Sequence, residues 1–127
     1  MTVRPFYRLA LMTALLLTTG TAFAGTSNKW RLQFSGAAES AGEIVLAVRE
    51  PEGKTFEVVV AIEGNDGENR VSSKTRRALD KALPFGWRVE RDDGEDVLIK
   101  RRWYSPRFEV VQLRSTVKGV RINFDQE

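Results

Sequence analysis

The chain contains no cysteine and no histidine among its 127 residues. Without cysteine it cannot be held by disulfides, the usual support of small exported domains. Without either residue it cannot run Ser-His-Asp or Cys-His catalysis, hold a His-ligated zinc or switch on histidine protonation. Phosphate-cradling glycine motifs and nucleophile elbows are also absent. Beyond the N-terminal stretch, no hydrophobic run approaches the roughly 20 residues that a membrane-spanning helix needs.

That N-terminal stretch has its own logic. Arg4 and Arg8 precede an apolar run from Leu9 to Leu17, interrupted only by Thr13, and small residues follow up to Ala22-Phe23-Ala24. Positive charge, a short apolar core and small residues at the −3 and −1 positions describe a secretory signal peptide. The sequence therefore predicts a leader over residues 1–24 and a single domain over 25–127, with the periplasm as the expected location and release outside the cell as the alternative. No cysteine follows the apolar run, so a lipid anchor is not expected.

Loss of the leader changes the charge balance. The full chain has 20 Lys and Arg against 17 Asp and Glu, a net +3, but Arg4 and Arg8 leave with the leader and 18 then face 17. The remaining charge is uneven: residues 25–69 carry 4 basic and 8 acidic side chains, residues 70–127 carry 14 and 9. A nearly neutral, dipolar domain is not a polycation built for nucleic acid. The expected partner is another exported or envelope protein.

Local patterning predicts an α+β fold with element order β-β-β-α-β-β-β-β and a mainly antiparallel sheet carrying one helix. Lys29 to Ser35 alternates, with Trp30, Leu32 and Phe34 on one side. Glu43 to Arg49 and Thr55 to Glu63 read as further strands. Val59 and Ala61 give the latter a second apolar face, which predicts a central, doubly covered strand. From Asn69 to Leu83 the period becomes helical, with Asn69 as the expected N-cap and Pro84 and Gly86 as the stop. Trp87 to Arg91 and the segment around Val97 and Ile99 form a hairpin across Asp93-Gly94, a pair suited to two positive-φ positions. Phe108 to Leu113 and Gly119 to Phe124 complete the set. Short connections favour antiparallel pairing; whether the strands stay open, curl into a partial barrel or divide into two layers is left open by the pattern.

Two basic clusters are candidate sites. The first comprises Arg101, Arg102, Trp103, Tyr104 and Arg107, where rigid aromatics alternate with guanidinium groups, the mixture that dominates protein interface hot spots. Its structural alternative is that Trp103 and Tyr104 close one end of the core. The second is a helix stripe of Arg70, Lys74, Arg77 and Lys81, suited to an anionic surface, or else solvated and neutralised by acids from neighbouring loops. The acidic turns at Asp66-Gly67-Glu68 and Asp92 to Asp96 lack calcium-loop spacing, so no metal and no cofactor are expected. Every carboxylate falls in a turn or alternates outward on a strand, so no buried general acid is expected. The leading expectation is an exported non-catalytic protein-binding module of inhibitor, immunity or envelope-assembly type. A module for anionic polymers or headgroups is the alternative, and a carboxylate-dependent hydrolase the third reading.

Overall fold

The computed structural model describes residues 25–127, and the expected leader lies outside the described residues. Seven strands and one helix follow in the order β1 (Lys29–Ser35), β2 (Gly42–Arg49), β3 (Thr55–Ile62), α1 (Glu68–Ala82), β4 (Arg88–Asp92), β5 (Asp96–Lys100), β6 (Glu109–Ser115) and β7 (Arg121–Gln126). The strands divide into two antiparallel sheets, one ordered β4-β5-β1-β7 and the other β3-β2-β6. The α+β class and the predicted element order hold, and the layered alternative is the one adopted.

The core lies between the inner faces of the sheets. β1 contributes Trp30, Leu32 and Phe34, β2 contributes Ile44, Leu46 and Val48, and β3 contributes Val58, Val60 and Ile62. Every second residue of each strand points inward, as the period of two requires. The buried Trp30 indole would lose a hydrogen bond in such a core, and its Nε1 instead donates to the Phe108 carbonyl at 2.8 Å. α1 adds Val71 and Leu79, with Leu83 just beyond its end, and packs against β3, β4, β5 and β1. Thr75 lies buried between Val71 and Leu79, and its hydroxyl is satisfied by donating to the Val71 carbonyl at 2.8 Å.

Two local expectations are corrected. The doubly covered strand is β2, not β3. β2 runs between β3 and β6, and Val45 and Ala47 on its outer face are fully buried. β3 is an edge strand whose Val59 is 49% exposed. An apolar outer face is necessary for double coverage, but position in the sheet decides it. The helix cap also differs: Gly67 is the N-cap, in extended conformation and without a side-chain cap bond, and Asn69 lies inside the first turn. Glu68 in that turn places negative charge at the positive end of the helix dipole.

The connections gather at two poles. At one, the β1–β2 and β6–β7 loops are joined by the Glu39 amide donating to the Lys118 carbonyl, and the Ala38 amide donates to the Asp66 carbonyl. The β4–β5 turn belongs to the same pole: its Asp93 and Gly94 both have positive φ, 54° and 80°, as predicted for this hairpin. The Ser72 hydroxyl of α1 donates to the Gly94 carbonyl at 2.5 Å and ties the helix to that turn. The opposite pole carries the β2–β3 turn, the 83–87 segment after α1 and the long β5–β6 loop, and it holds the first candidate cluster.

Candidate functional site

The β5–β6 loop is stapled at both ends. At its start the Arg101 amide donates to the Asn28 carbonyl, and at its end Phe108 exchanges two backbone hydrogen bonds with Ser27. Between these anchors the Ser105 amide donates to the Arg102 carbonyl at 2.9 Å, turning residues 102–105 outward.

The Arg101 side chain belongs to the scaffold. Its guanidinium carbon lies 4.1 Å from the Trp87 ring centroid, its Nη1 donates to Glu50 at 2.7 Å and to the Pro106 carbonyl at 3.2 Å, and only 15% of the side chain is exposed. Trp87 in turn meets Phe56 and Phe108 edge-on, with centroids 5.9 and 4.8 Å apart. These rings, covered by Arg101, close this end of the core. Trp87 thus takes the closing role weighed above for Trp103 and Tyr104, and it sits in the loop before β4, outside the strand predicted for it.

Trp103 and Tyr104 are left to the surface, 83% and 61% exposed. Their rings meet edge-on at 5.7 Å, and Arg102 Nη1 donates to the Tyr104 hydroxyl at 2.6 Å, which links the three side chains. Arg107 is exposed and its Nε makes a long contact of 3.4 Å to the Thr26 carbonyl. Arg102, Trp103 and Tyr104 therefore form one exposed group, Arg101 holds its root in place, and Arg107 is exposed beside Thr26 and the β2–β3 turn.

The structure adds Phe85 to this pole. The Trp87 amide donates to the Pro84 carbonyl at 3.3 Å, forming a turn with Phe85 at its tip, and the Phe85 side chain is fully exposed. The Phe85 turn and Arg102 border one cleft of about 670 Å³, whose lining includes Leu83, Trp87, Arg88 and Lys100. In the sequence Pro84 and Gly86 mark a helix stop, a signal that gives the phenylalanine between them no role. An aromatic residue flanked by two breakers was the available signal.

The helix stripe is divided. Lys74 Nζ donates to the Asp66 carboxylate at 2.6 Å and lies 4.0 Å from Glu63, so acids from the preceding loop neutralise it. Arg70 reaches Asp66 only at 4.0 Å. Arg77 and Lys81 are exposed and make no ion pair among the described residues; both border a groove of about 750 Å³ between α1 and β3.

The carboxylates correct another expectation. Asp66, Asp96 and Glu109 are buried, contrary to the outward pattern read from the sequence. Each is matched by a cation: Asp66 by Lys74, Asp96 by Arg31 at 2.7 Å, and Glu109 by Arg49 at 2.9 Å. Arg31 also reaches Glu127 at 2.6 Å and Asp92 at 3.0 Å, joining β1 to β4, β5 and the C-terminus. These hydrogen bonds, that to Glu127 foremost, raise the guanidinium above its ordinary range. Lys74 holds the Asp66 carboxyl below its ordinary value, and Arg31 does the same for Glu127. A general acid needs a shift in the opposite direction. No cluster of three or more acidic residues positioned for a metal ion occurs among the described residues, and no helix among them is long and apolar enough to cross a membrane.

Compared with known protein families and with curated proteins, the chain matches none.

Proposed function

We propose that this chain is an exported, non-catalytic protein-binding module, of inhibitor, immunity or assembly-accessory type, that docks through its aromatic–basic pole. The observation that carries the reading is the exposure of Phe85, Trp103 and Tyr104 at one pole, on loops stapled to the core. Exposed aromatic rings are costly to hydrate, and a rigid loop loses little entropy when a partner covers it. Arg102 supplies charge beside the rings and Arg107 adds charge at the same pole, and Trp, Tyr and Arg are the residues that carry most interface energy. Arg101 acts by positioning: it fixes the root of the loop and does not face the partner. Export rests on the leader pattern in residues 1–24, with the periplasm as the compartment.

The reading is tested by quantitative capture from an envelope extract, using the full chain and a Trp103→Ala/Arg102→Ala variant of unchanged thermal stability. A discrete partner retained by the parent and depleted at least tenfold in the variant supports it. Equal recovery of the same proteins removes this pole from the account.

A second reading, binding of an anionic polymer or headgroup, has Arg77 and Lys81 in its favour, since neither forms an ion pair among the described residues. Contacts of that kind weaken steeply with salt.

A further inference from the structure

We infer that the cleft between the Phe85 turn and the start of the β5–β6 loop takes an acidic peptide segment of the partner that carries an aromatic or large aliphatic side chain beside its carboxylates. The inference rests on the docking role proposed above and specifies the chemistry that role requires.

The charge inventory of the cleft sets the sign. Four cations line it: Arg88, Lys100, Arg101 and Arg102. Arg101 is matched by Glu50. Arg88 and Lys100 share one carboxylate, Glu90, at 3.7 and 3.0 Å. Among the described residues Arg102 pairs with no carboxylate; its bonded partner is the Tyr104 hydroxyl. The lining acid, Asp80, lies 3.8 Å from Arg76, which compensates it. Among the described residues two positive charges are thus left over, one shared by Arg88 and Lys100 and one on Arg102.

The walls set the second requirement. Leu83, Phe85 and Trp87 make part of the lining apolar, and the exposed Trp103 and Tyr104 continue from Arg102. The cleft, about 670 Å³ and open to solvent, is wide enough to receive a side chain. Carboxylates beside an aromatic or aliphatic anchor satisfy both features, with guanidinium groups suited to bidentate carboxylate contact. A lipid surface fits less well. Recognition of anionic lipid ordinarily uses clusters of about 4–8 basic residues, whereas two charges are uncompensated here and the rings border a concavity.

Display of random dodecapeptides against the immobilised domain tests the inference, run in parallel on the parent and on Arg102→Glu and Phe85→Ala variants. Both substitutions are at exposed positions, and thermal unfolding of each variant confirms an intact fold. The expected result is enrichment of sequences with Asp or Glu within a few residues of Trp, Phe or Leu. A synthetic peptide of that class should lose at least about tenfold in affinity on Arg102→Glu. Enrichment of neutral or basic peptides that still depends on Phe85 overturns the acidic class and leaves the docking pole standing. Absence of any enrichment sensitive to these variants overturns both. A companion arm uses vesicles containing phosphatidylglycerol: binding that both variants weaken, with no acidic peptide selected, overturns the peptide in favour of a lipid surface.

Discussion

Arg101 lies over the face of Trp87, its guanidinium carbon 4.1 Å from the ring centroid, and the contact separates the buried half of the β5–β6 loop from the exposed half. On one side of it, the Phe56, Trp87 and Phe108 rings close the core. On the other, Arg102, Trp103 and Tyr104 face solvent. Neighbouring arginines therefore have different work.

Arg101→Ala removes the ring contact and the bond to Glu50, whose side chain is itself mostly buried. A cost of about 1–3 kcal/mol is expected, because a shielded ion pair is broken on one side and a cation–π contact is lost. Arg102→Ala alters only exposed contacts and should stay within about 0.5 kcal/mol of the parent. Urea unfolding of the two variants checks the difference; equal costs would show that Arg101 is not a clamp.

Acid should destabilise the domain in a window set by Asp66 and Glu127. Both carboxyls are held low in the folded state, Asp66 chiefly by Lys74 and below its ordinary value of 3.8. The unfolded chain consequently binds protons first as pH falls. This stabilisation is fully present above about pH 5 and is lost as pH drops through the ordinary values towards the folded-state ones. Asp66→Asn should lower stability by about 1–3 kcal/mol at pH 7 by removing a charge-assisted bond to a mostly buried ammonium. It should also flatten part of the acid limb. Denaturant midpoints from pH 3 to pH 7 give both readings, and an acid limb identical to the parent's would exclude Asp66 as a contributor.

Val45→Ala and Val59→Ala distinguish the centre of the smaller sheet from its edge. The two residues are direct cross-strand partners on the outer face, yet Val45 is fully buried and Val59 half exposed. Losing two buried carbons should cost about 1.5–3 kcal/mol at Val45. Less than about 1 kcal/mol is expected at Val59, where strand preference is the main loss. Thermal unfolding ranks the pair, and a larger cost at Val59 would contradict the assignment of β3 as an edge.

Much of this fold was legible because alternation is a local signal. Trp30, Leu32 and Phe34 declare an inward face wherever β1 ends up, and Asp93-Gly94 declares a turn from its own backbone preferences. Strand neighbours are not local. Val45 and Val59 look alike in sequence, and only the pairing of β2 with both β3 and β6 buries one of them. Burial of a carboxylate is likewise a property of the packing around it and not of its place in the local pattern. Asp66 and Asp96 sit beside turns, and their cations come from Lys74 and from Arg31, which is 65 residues away in the case of Asp96. At the candidate site, the aromatic–basic run was visible, but the division of labour between Arg101 and Arg102 depends on Trp87 and Glu50, which arrive from other loops. Phe85 was hidden by its position between two residues whose ordinary meaning is an ending.

Site-specific photo-crosslinking tests the docking pole most directly. A photoreactive phenylalanine analogue replaces Tyr104, keeping an aromatic ring at the proposed surface, or replaces Lys118 in the β6–β7 loop at the opposite pole. Irradiation in the producing cell should give one discrete higher-mass protein adduct from position 104 and none from position 118. No adduct from position 104, or the same adducts from both positions, would contradict the assignment of the Arg102–Tyr104 surface as the place where this protein meets its partner.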